Sequence, residues 1–410
     1  MELNNDAYTI QGVPVLDIAR EYGTPLYVYD ADKILHQINE LHTAFEGLKL
    51  KIKYAAKALT NISVLKLIKQ TGAGLDVVSI QEIKLGMMAG FDPSEIIYTP
   101  NCVDYQEIRD AVEMGVMINI DNISILEQFG HEYGDSVPCC IRLNPHIFAG
   151  GNSKISTGHI DSKFGISILQ SRHLLRVIKS NKINVVGLHM HTGSDILDAD
   201  VFSRGADIMF ETAKDFNDLQ FIDFGSGFKV SYKDGDITTN VHELGKVLGK
   251  SFNRFCKEYG RDLEIWFEPG KYIVSESGVL LVTTNVVKTT PATVFAGVNS
   301  GMNHLLRPMM YDSHHDMINI SNPTGTQRIF SVVGYICETD NFGIDRKLNE
   351  VREGDIIAIK NSGAYGFSMS SNYNSRFRPA EILVHDGQAK LIRERESMED
   401  ITRNQVILDI

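Results

Sequence analysis

Several polar residues stand at the ends of strand-like runs, where functional side chains are expected. In chain order they are Lys57, Asp76, Asn144, His191 and Glu268, with a Gly225–Ser226–Gly227 turn between the last two. A lysine amine can attack a carbonyl carbon, and a histidine or a carboxylate can move protons. A glycine turn can close backbone N–H groups around a phosphate because bulky side chains are absent. These residue types together indicate a cofactor that carries an aldehyde, a flat ring and a phosphate.

The elements that must position these residues alternate regularly along the chain. Eight β-rich runs are separated by amphipathic segments, such as NISVLKLIKQTG, whose apolar residues lie three or four apart and which end in glycine. The runs cover residues 49–56, 74–79, 96–100, 116–120, 138–144, 183–191, 220–227 and 264–270. Eight strand–helix units predict a (β/α)8 TIM-like barrel, whose functional residues lie at the carboxyl ends of the strands. A doubly wound open sheet is the alternative.

The character of the sequence changes after residue 276, where strand-like runs follow one another with little helical periodicity. We therefore predict an α/β plus all-β protein with two domains. The barrel covers 33–276, and residues 1–32 and 277–410 form a β-barrel or sandwich-like domain. The stretch 146–163 follows the fifth run and is either an active-site loop or lid, or an ordinary surface insertion.

The composition favours a globular, cytoplasmic protein. Hydrophobic residues make up 43% of the chain and the net charge is −12, so binding to nucleic acid or to an anionic membrane has no electrostatic support. No apolar run approaches the ~20 residues of a membrane helix, and no secretory signal is visible. The five cysteines are odd in number and lack a metal-type spacing, which suits a reducing compartment.

Each of these signals also has a plainer interpretation. Lys57 could be a solvated residue at a strand end. His189 and His191 point to the same side of a strand and could be ligands in a barrel metallohydrolase, although few further ligands are apparent. His189 alone could be a packed structural histidine. The metal-like cluster YDSHHD at 311–316 is expected to be a solvated loop.

Seven segments occur in an order that is typical of one enzyme family. They are KYAAKALTN, GLDVVS, HMHTGS, DFGSGF, EPGK, GYICETDNFG and SGAYGFSMSSNYNSRFRPAEI. The chain thereby resembles the alanine-racemase-like (fold-type III) pyridoxal-phosphate enzymes and, among them, the diaminopimelate decarboxylases. The resemblance implies pyridoxal 5'-phosphate as the cofactor, no metal, and a homodimer with active sites at the interface. It also implies decarboxylation of meso-2,6-diaminopimelate at its D-centre to L-lysine and CO2.

The resemblance further implies roles for individual residues. Lys57 matches the catalytic lysine that bonds the cofactor aldehyde, His191 the residue that stacks on the ring, and Glu268 the carboxylate that faces the ring nitrogen. Cys337 matches the proton donor, and Glu338 the acid that holds the distal amino group of the substrate. The other expected cofactor-binding residues are Asp76, Ser194, Gly225, Ser226, Gly227, Pro269, Gly270, Lys271 and Tyr365. The other expected substrate-binding residues are Lys271, Arg307, Tyr311 and Tyr365.

Three features of the sequence bear on the substrate. Lys271 stands where the family more often has arginine, which loses the two-pronged grip on a carboxylate. Glu268 favours a protonated ring nitrogen, which suits decarboxylation rather than racemisation. Arg307 and Lys271 with Glu338 complement a zwitterionic amino-acid end, which diaminopimelate has and ornithine lacks. The alternatives are decarboxylation of another basic amino acid or a carboxylated polyamine, and a non-catalytic cofactor-binding protein.

Overall fold

The computed structural model describes residues 1–147, 162–191, 193, 199–233 and 235–410, with the side chains of 199–201 left out. Ser194 and most of the 146–163 segment lie outside the described residues. The chain divides into two compact units. The barrel unit comprises Leu35–Val230 and Ile237–Ile273, and the sheet unit comprises Met1–Ile34, Ser231–Asp236 and Val274–Ile410. The segment Ser231–Asp236, inside the range predicted for the barrel, groups with the sheet unit.

The described elements are as follows in chain order. The strands are β1 (Glu2–Asn4), β2 (Ala7–Ile10), β3 (Val13–Pro14), β4 (Leu26–Asp30), β5 (Leu50–Ala55), β6 (Gly74–Val77), β7 (Ile96–Tyr98), β8 (Met117–Ile120), β9 (Cys139–Asn144), β10 (Ile166–Ser167), β11 (Val185–Met190), β12 (Phe221–Asp223), β13 (Glu264–Phe267), β14 (Gly278–Thr289), β15 (Val294–Val298), β16 (Met317–Asn319), β17 (Gln327–Val333), β18 (Asn341–Asn349), β19 (Ile356–Ile359), β20 (Ala380–His385) and β21 (Gln388–Arg393). The helices are α1 (Val15–Tyr22), α2 (Ala31–Ala44), α3 (Ile62–Lys69), α4 (Ile80–Met88), α5 (Tyr105–Glu113), α6 (Ile123–Tyr133), α7 (Ser171–Asn181), α8 (Ala199–Ala213), α9 (Val241–Tyr259), α10 (Lys271–Val274), α11 (Arg307–Tyr311) and α12 (Met398–Thr402).

Eight parallel strands close the barrel of the barrel unit. The strands β5 to β9 and β11 to β13 pair with one another in that order, and β13 pairs with β5, where Ile265 lies opposite Leu50. The short β10 adds to the edge of β9. This closure excludes the open sheet and confirms the (β/α)8 prediction. Each of the eight predicted β-rich runs contains one barrel strand.

Side-chain caps begin several of the helices that follow the strands. Asn61, Ser79, Asp104, Asn122 and Asn240 each accept a backbone N–H from the first turn of α3, α4, α5, α6 and α9 respectively. A helix leaves its first N–H groups without partners in the helix, and these caps satisfy some of them. The caps therefore define where the chain turns after leaving the carboxyl end of a strand.

Large side chains fill the barrel interior. The rings of Phe221 and Trp266 stack with their centroids 3.6 Å apart, and Cys140 packs in the same buried cluster. Gly187 lies against the Phe221 ring, which a Cβ at that position would strike. Such filling makes the barrel a packed core and leaves chemistry to the ends of its strands.

The sheet unit is built around the long strand β14. Its first residues pair with β4 and β19, and its last residues pair with β15. The strand order β18-β17-β15-β14-β4-β20-β21 brings β4 from the beginning of the chain into the same sheet as the late strands. Apolar residues of α1, β4, β14 and β20 form its core. The predicted β-rich second domain is thereby confirmed.

The longest described helices are amphipathic rather than apolar all round. In α9, Leu244, Leu248 and Phe252 are buried, whereas Lys246 and Lys250 are exposed. This pattern is typical of a helix that packs one face on a core. Within the part of the chain that the structure describes, no helix is long and apolar enough to cross a membrane.

Candidate active site

Lys57 and Asp76 meet at the carboxyl ends of β5 and β6. Lys57 lies in the turn Ala56–Ala58 directly after β5, and its Nζ is 3.4 Å from Oδ2 of Asp76. The side chain of Lys57 is 43% exposed, whereas that of Asp76 has no exposed surface. Burial and the negative charge of Glu268 raise the pKa of Asp76, and the Lys57 ammonium opposes them. Two residues predicted from different strands therefore lie together.

His191 follows β11 and lies against the glycine turn after β12. Its Nδ1 accepts the backbone N–H of Ser226 at 3.3 Å. Gly225 has a φ of +61°, and a Cβ there would lie 2.6 Å from His191 Nδ1, so both the backbone and the ring require glycine. Burial and the positive charges of Arg142 and Lys57 lower the pKa of His191 to about 3. The ring is therefore neutral at neutral pH.

Glu268 follows β13 and is buried, with 6% of its surface exposed. Its backbone N–H donates to the carbonyl of Gly225 at 2.6 Å. Its Oε2 lies 3.1 Å from His189 Nε2, while its buried Oε1 has no hydrogen-bond partner among the described residues. Burial would raise the pKa of Glu268, but the electrostatic influence of His189, Lys57 and His191 lowers it to about 2. The carboxylate is therefore an anion with one oxygen to spare.

The residues after Glu268 bring backbone close to the end of β5. The carbonyl of Pro269 accepts the backbone N–H of Ala55 at 3.2 Å. A Cβ on Gly270 would lie 3.1 Å from the Cβ of Ala55, which is tighter than ordinary contact. Lys271 begins α10. The EPGK motif thus lies beside the strand that carries Lys57.

Three further buried polar residues border this cluster and are absent from the sequence-based prediction. Asp223 ends β12, and burial and the charge of Glu268 raise its pKa well above the usual range. Asn119 lies in β8 with its Nδ2 3.0 Å from His189 Nδ1. Arg142 lies in β9, where burial lowers its pKa. The available signal was a polar residue in a mainly apolar strand, since a polar group is buried there only with a partner.

Arg307 is the centre of a second cluster, which lies in the sheet unit. Its guanidinium carbon lies 5.6, 5.7 and 5.9 Å from the ring centroids of Tyr232, Tyr311 and Tyr365. Its Nη2 donates to the hydroxyls of Tyr232 and Ser313, both at 3.3 Å. The structure therefore brings together three of the residues predicted to bind substrate. Tyr232 was missed because it stands in a loop segment without strand or helix periodicity.

Part of the 311–316 segment differs from the expected solvated loop. His315 has no exposed surface, its Nδ1 lies 2.9 Å from the Lys360 carbonyl, and its ring meets the Tyr232 ring edge-on at 5.5 Å. His314 remains partly exposed beside Asp316. The expectation is wrong for His315 because the segment packs against residues that are distant in the sequence.

Cys337 and Glu338 are exposed, and they contact Asn374 and Tyr373 in the last of the seven sequence motifs. Asn374 Nδ2 donates to the Cys337 sulfur at 3.2 Å, and the Tyr373 hydroxyl donates to Glu338 Oε1 at 2.6 Å. Asn374 and Ser375 have φ values of +57° and +54°. Two motifs that lie far apart in the sequence are thus neighbours in the sheet unit.

Comparison with known proteins identifies the family. Residues 31–275 match the family model described as pyridoxal-dependent decarboxylase, pyridoxal binding domain. The chain belongs to the pyridoxal-dependent decarboxylases. A diaminopimelate decarboxylase of Methanothermobacter thermautotrophicus is 37% identical, covering 99% of this chain and 97% of its own.

Solved structures agree with this assignment. A diaminopimelate decarboxylase of M. jannaschii has a TM-score of 0.91 and 30% identity, covering 100% of this chain and 98% of its own. A diaminopimelate decarboxylase of Helicobacter pylori, in complex with L-lysine, has a TM-score of 0.87 and 33% identity. The match covers 95% of this chain and 98% of that one. The resemblance that the sequence motifs indicated is confirmed.

The barrel residues fit the family's cofactor, pyridoxal phosphate. The buried, anionic Glu268 has an oxygen without a hydrogen-bond partner, which suits the N–H of a pyridinium ring. The glycine turn at Gly225 presents backbone where a Cβ would collide with His191. A metal site would require several ligand atoms close together, and this site has them. One such atom from each of His189, Asp223 and Glu268 lies within 4.8 Å of the other two. Family membership, rather than this spacing, decides for pyridoxal phosphate over the metallohydrolase.

Proposed function

We propose that this decarboxylase removes the carboxylate at the D-centre of meso-2,6-diaminopimelate and releases L-lysine and CO2. One observation carries the choice of substrate: Arg307 is 9% exposed, its Nε has no hydrogen-bond partner, and no carboxylate among the described residues forms an ion pair with it. A buried charge without a counter-charge is costly. Arg307 therefore suits an anionic group that arrives with the substrate.

The surroundings of Arg307 favour a carboxylate over a larger anion. A guanidinium presents its N–H groups as a planar fork that matches the two oxygens of a carboxylate. The three tyrosine rings surround a guanidinium that is itself buried, and burial strengthens the attraction between opposite charges. Diaminopimelate has a carboxylate at its distal end, whereas ornithine and lysine have only an ammonium there. A site for those amines would need an acidic residue in place of the arginine.

The barrel residues take the cofactor in this proposal. Pyridoxal phosphate, when bound, supplies an aldehyde that bonds an amino nitrogen and a ring that accepts the electron pair left by CO2. Lys57 would hold the cofactor through its amine. The His191 ring would stack on the cofactor ring, and Glu268 would accept the ring N–H at Oε1. Asp76 keeps the Lys57 amine in place at 3.4 Å.

The phosphate is held mainly by backbone in this proposal. Turns without bulky side chains allow several N–H groups to approach the phosphate oxygens. The residues assigned to the phosphate site are Ser194, Gly225, Ser226, Gly227, Pro269, Gly270, Lys271 and Tyr365, of which Pro269 has no N–H to donate. Lys271 adds a positive charge near the phosphate or the substrate carboxylate, but without the fork geometry of arginine.

Cys337 returns a proton to the carbon from which CO2 has left. The amide of Asn374 orients its sulfur, and Tyr373 orients the Glu338 carboxylate. Glu338 then binds the distal ammonium of the substrate, and Arg307 and Tyr311 bind the distal carboxylate. The negative charge of Glu338 and the positive charge of Arg307 thus complement the ammonium and the carboxylate at the distal end of the substrate.

We further propose a cytoplasmic homodimer in which each protomer contributes to the partner's site. The family resemblance supports the dimer, as does the exposure of Cys337 and Glu338 in the single chain. Free thiols support a reducing compartment, since all five cysteines are free.

The deciding experiment measures CO2 release from meso-diaminopimelate, ornithine and lysine by the native protein and by Arg307→Ala. We expect the native protein to act on diaminopimelate alone. Arg307→Ala should lose at least about 30-fold in kcat/KM, because truncating one partner of a buried charge pair costs about 2–5 kcal/mol. Arg328→Ala is the matched control, since Arg328 lies in an exposed ion pair with Glu350.

Two results would contradict the proposal. One is CO2 release from ornithine or lysine with none from diaminopimelate, which would indicate the basic amino-acid decarboxylase. The other is an unchanged kcat/KM in Arg307→Ala. Chiral analysis of the product then tests the D-centre, because attack at the L-centre would give D-lysine.

A further inference from the structure

His189 is fully buried between two polar side chains of the barrel unit. On one side its Nδ1 lies 3.0 Å from Asn119 Nδ2, and on the other its Nε2 lies 3.1 Å from Glu268 Oε2. None of the three side chains has more than slight exposure. A packed structural histidine would need only that its nitrogens be satisfied. This histidine instead contacts the carboxylate to which the proposed function assigns the cofactor's ring nitrogen.

The hydrogen bonds of Asn119 determine where the His189 ring carries its proton. The Thr99 hydroxyl hydrogen-bonds to Asp76, so the Thr99 oxygen is left to accept the Asn119 amide, whose Nδ2 lies at 3.3 Å. The same amide has a second N–H, which faces His189 Nδ1. Nδ1 is therefore an acceptor, and Nε2 carries the ring proton. That N–H faces the Glu268 carboxylate.

The contact between His189 and Glu268 is close but not yet aligned. The Nε2–Oε2 distance is that of a hydrogen bond, whereas the ring N–H is not directed along the line to the oxygen. Active-site hydrogen bonds are often misaligned before a ligand binds and tighten in the complex. At this distance in a buried site the N–H dipole already favours the carboxylate anion.

A second neighbour acts on the same carboxylate. Asp223 lies within 4.8 Å of both His189 and Glu268, counting one ligand atom from each residue. Burial and the charge of Glu268 raise the pKa of Asp223 well above the usual range, and a side-chain hydrogen bond to Glu268 also raises it. The pKa of Glu268 is lowered instead, so the pair favours the negative charge on Glu268.

We propose that His189 is a positioning residue that keeps Glu268 anionic and leaves its Oε1 for the cofactor's ring nitrogen, in a tautomer that Asn119 imposes. This inference rests on the role of Glu268 in the proposed function. It extends the site by two residues, one from β8 and one from β11. Through them, a chain of contacts runs from Thr99 to Asn119, His189 and Glu268.

The test observes the ring nitrogen directly, without turnover. Each protein is loaded with pyridoxal phosphate labelled with 15N in the ring, and the 15N chemical shift reports whether that nitrogen is protonated. Equilibrium dialysis gives the dissociation constant of the cofactor. The variants are His189→Leu, which removes the N–H, and His189→Gln, which keeps a side-chain N–H near the same place. Asn119→Leu removes the amide that fixes the tautomer of the His189 ring.

We expect His189→Leu to move the 15N resonance towards the neutral position and to weaken cofactor binding about tenfold, as for loss of one interaction with a charged group. His189→Gln should stay near the native values. If His189→Leu does not fold, Asn119→Leu tests the inference in its place. Its 15N resonance should move in the same direction, and its cofactor binding should weaken about threefold. A native 15N shift and native affinity in the folded variant would overturn the inference.

Glu268→Gln separates this inference from the proposed function. If Glu268→Gln leaves the 15N shift unchanged, the carboxylate does not serve the ring nitrogen and the proposed function loses that role. If Glu268→Gln changes the shift but the His189 and Asn119 variants do not, only the positioning role fails. The circular dichroism spectrum of every variant establishes that it is folded.

Discussion

The ammonium of Lys57 lies 3.4 Å from a carboxylate oxygen of Asp76, whose side chain has no exposed surface. Lys57 directly follows β5 and Asp76 lies in β6, so the distance follows from the parallel pairing of these two strands. The Lys57 amine thereby lies where the buried carboxylates of Asp76 and Glu268 both act on it.

The covalent role of Lys57 gives the first prediction. Borohydride reduction of the protein loaded with pyridoxal phosphate should add the mass of one reduced cofactor to the native chain and none to Lys57→Ala. Lys51→Ala is the control, because Lys51 is exposed on the same strand. Intact-mass spectrometry reads the result. Stoichiometric incorporation into Lys57→Ala would show that another lysine holds the cofactor.

The contact of Tyr232 with Arg307 gives the second prediction. Tyr232→Phe removes the hydroxyl that accepts from Arg307 but keeps the ring, so we expect KM for diaminopimelate to rise about fivefold, corresponding to about 1 kcal/mol. The kcat should change little, because the distal carboxylate is far from the bond that breaks. Tyr8→Phe, in the small sheet with β1 and β3, should be neutral. An unchanged KM in Tyr232→Phe would remove this residue from the substrate site.

The close approach of His191 to Gly225 gives the third prediction. Gly225→Ala adds a methyl group 2.6 Å from the ring and strains a backbone at φ +61°, so cofactor affinity should fall more than about tenfold. Gly260→Ala is matched for backbone strain, with φ +80°, but its Cβ has nothing within 4 Å. Gly260→Ala should lose about 1 kcal/mol of stability and keep its cofactor affinity. Equal affinities in the two variants would refute a specific role for the turn.

The buried Lys53 gives a prediction about pH. Burial lowers its pKa from 10.5 to about 8, and its Nζ lies 4.4 Å from the centroid of the Trp266 ring. Between pH 8 and 10.5 the unfolded chain keeps a proton that the folded chain has released, so stability rises with pH in this window. The gain is about 3 kcal/mol over the window. Below pH 8 both states are protonated and the contribution is constant.

Urea unfolding followed by circular dichroism measures this effect. The native protein should gain more stability than Lys53→Met between pH 8 and 10.5, since methionine does not titrate. Lys51→Met, exposed on the same strand, should follow the native curve. Parallel curves for the native protein and Lys53→Met would contradict the depressed pKa of Lys53.

The periodicity of the sequence predicted the barrel and left the open sheet as the alternative, which the pairing of β13 with β5 then excluded. Eight apolar runs separated by amphipathic segments have one closed arrangement with both faces covered, and strand ends then meet at one place. Lys57 and His191 could be placed for this reason, because Lys57 directly follows a run and His191 ends one, while Asp76 lies within the run 74–79. The motif resemblance, rather than periodicity, supplied the cofactor and the residues of the sheet unit.

Only the tertiary structure decided which buried polar residues face one another. Asn119 and Asp223 lie in short apolar strands, where the sequence gives no information about the neighbour across the barrel. Tyr232 contacts Arg307, and His315 contacts Tyr232, from segments with no regular period. The sequence determines local periodicity because that depends on the nearest few residues. The pairing of His189 with Glu268 depends on the closure of eight strands, which is a property of the whole barrel.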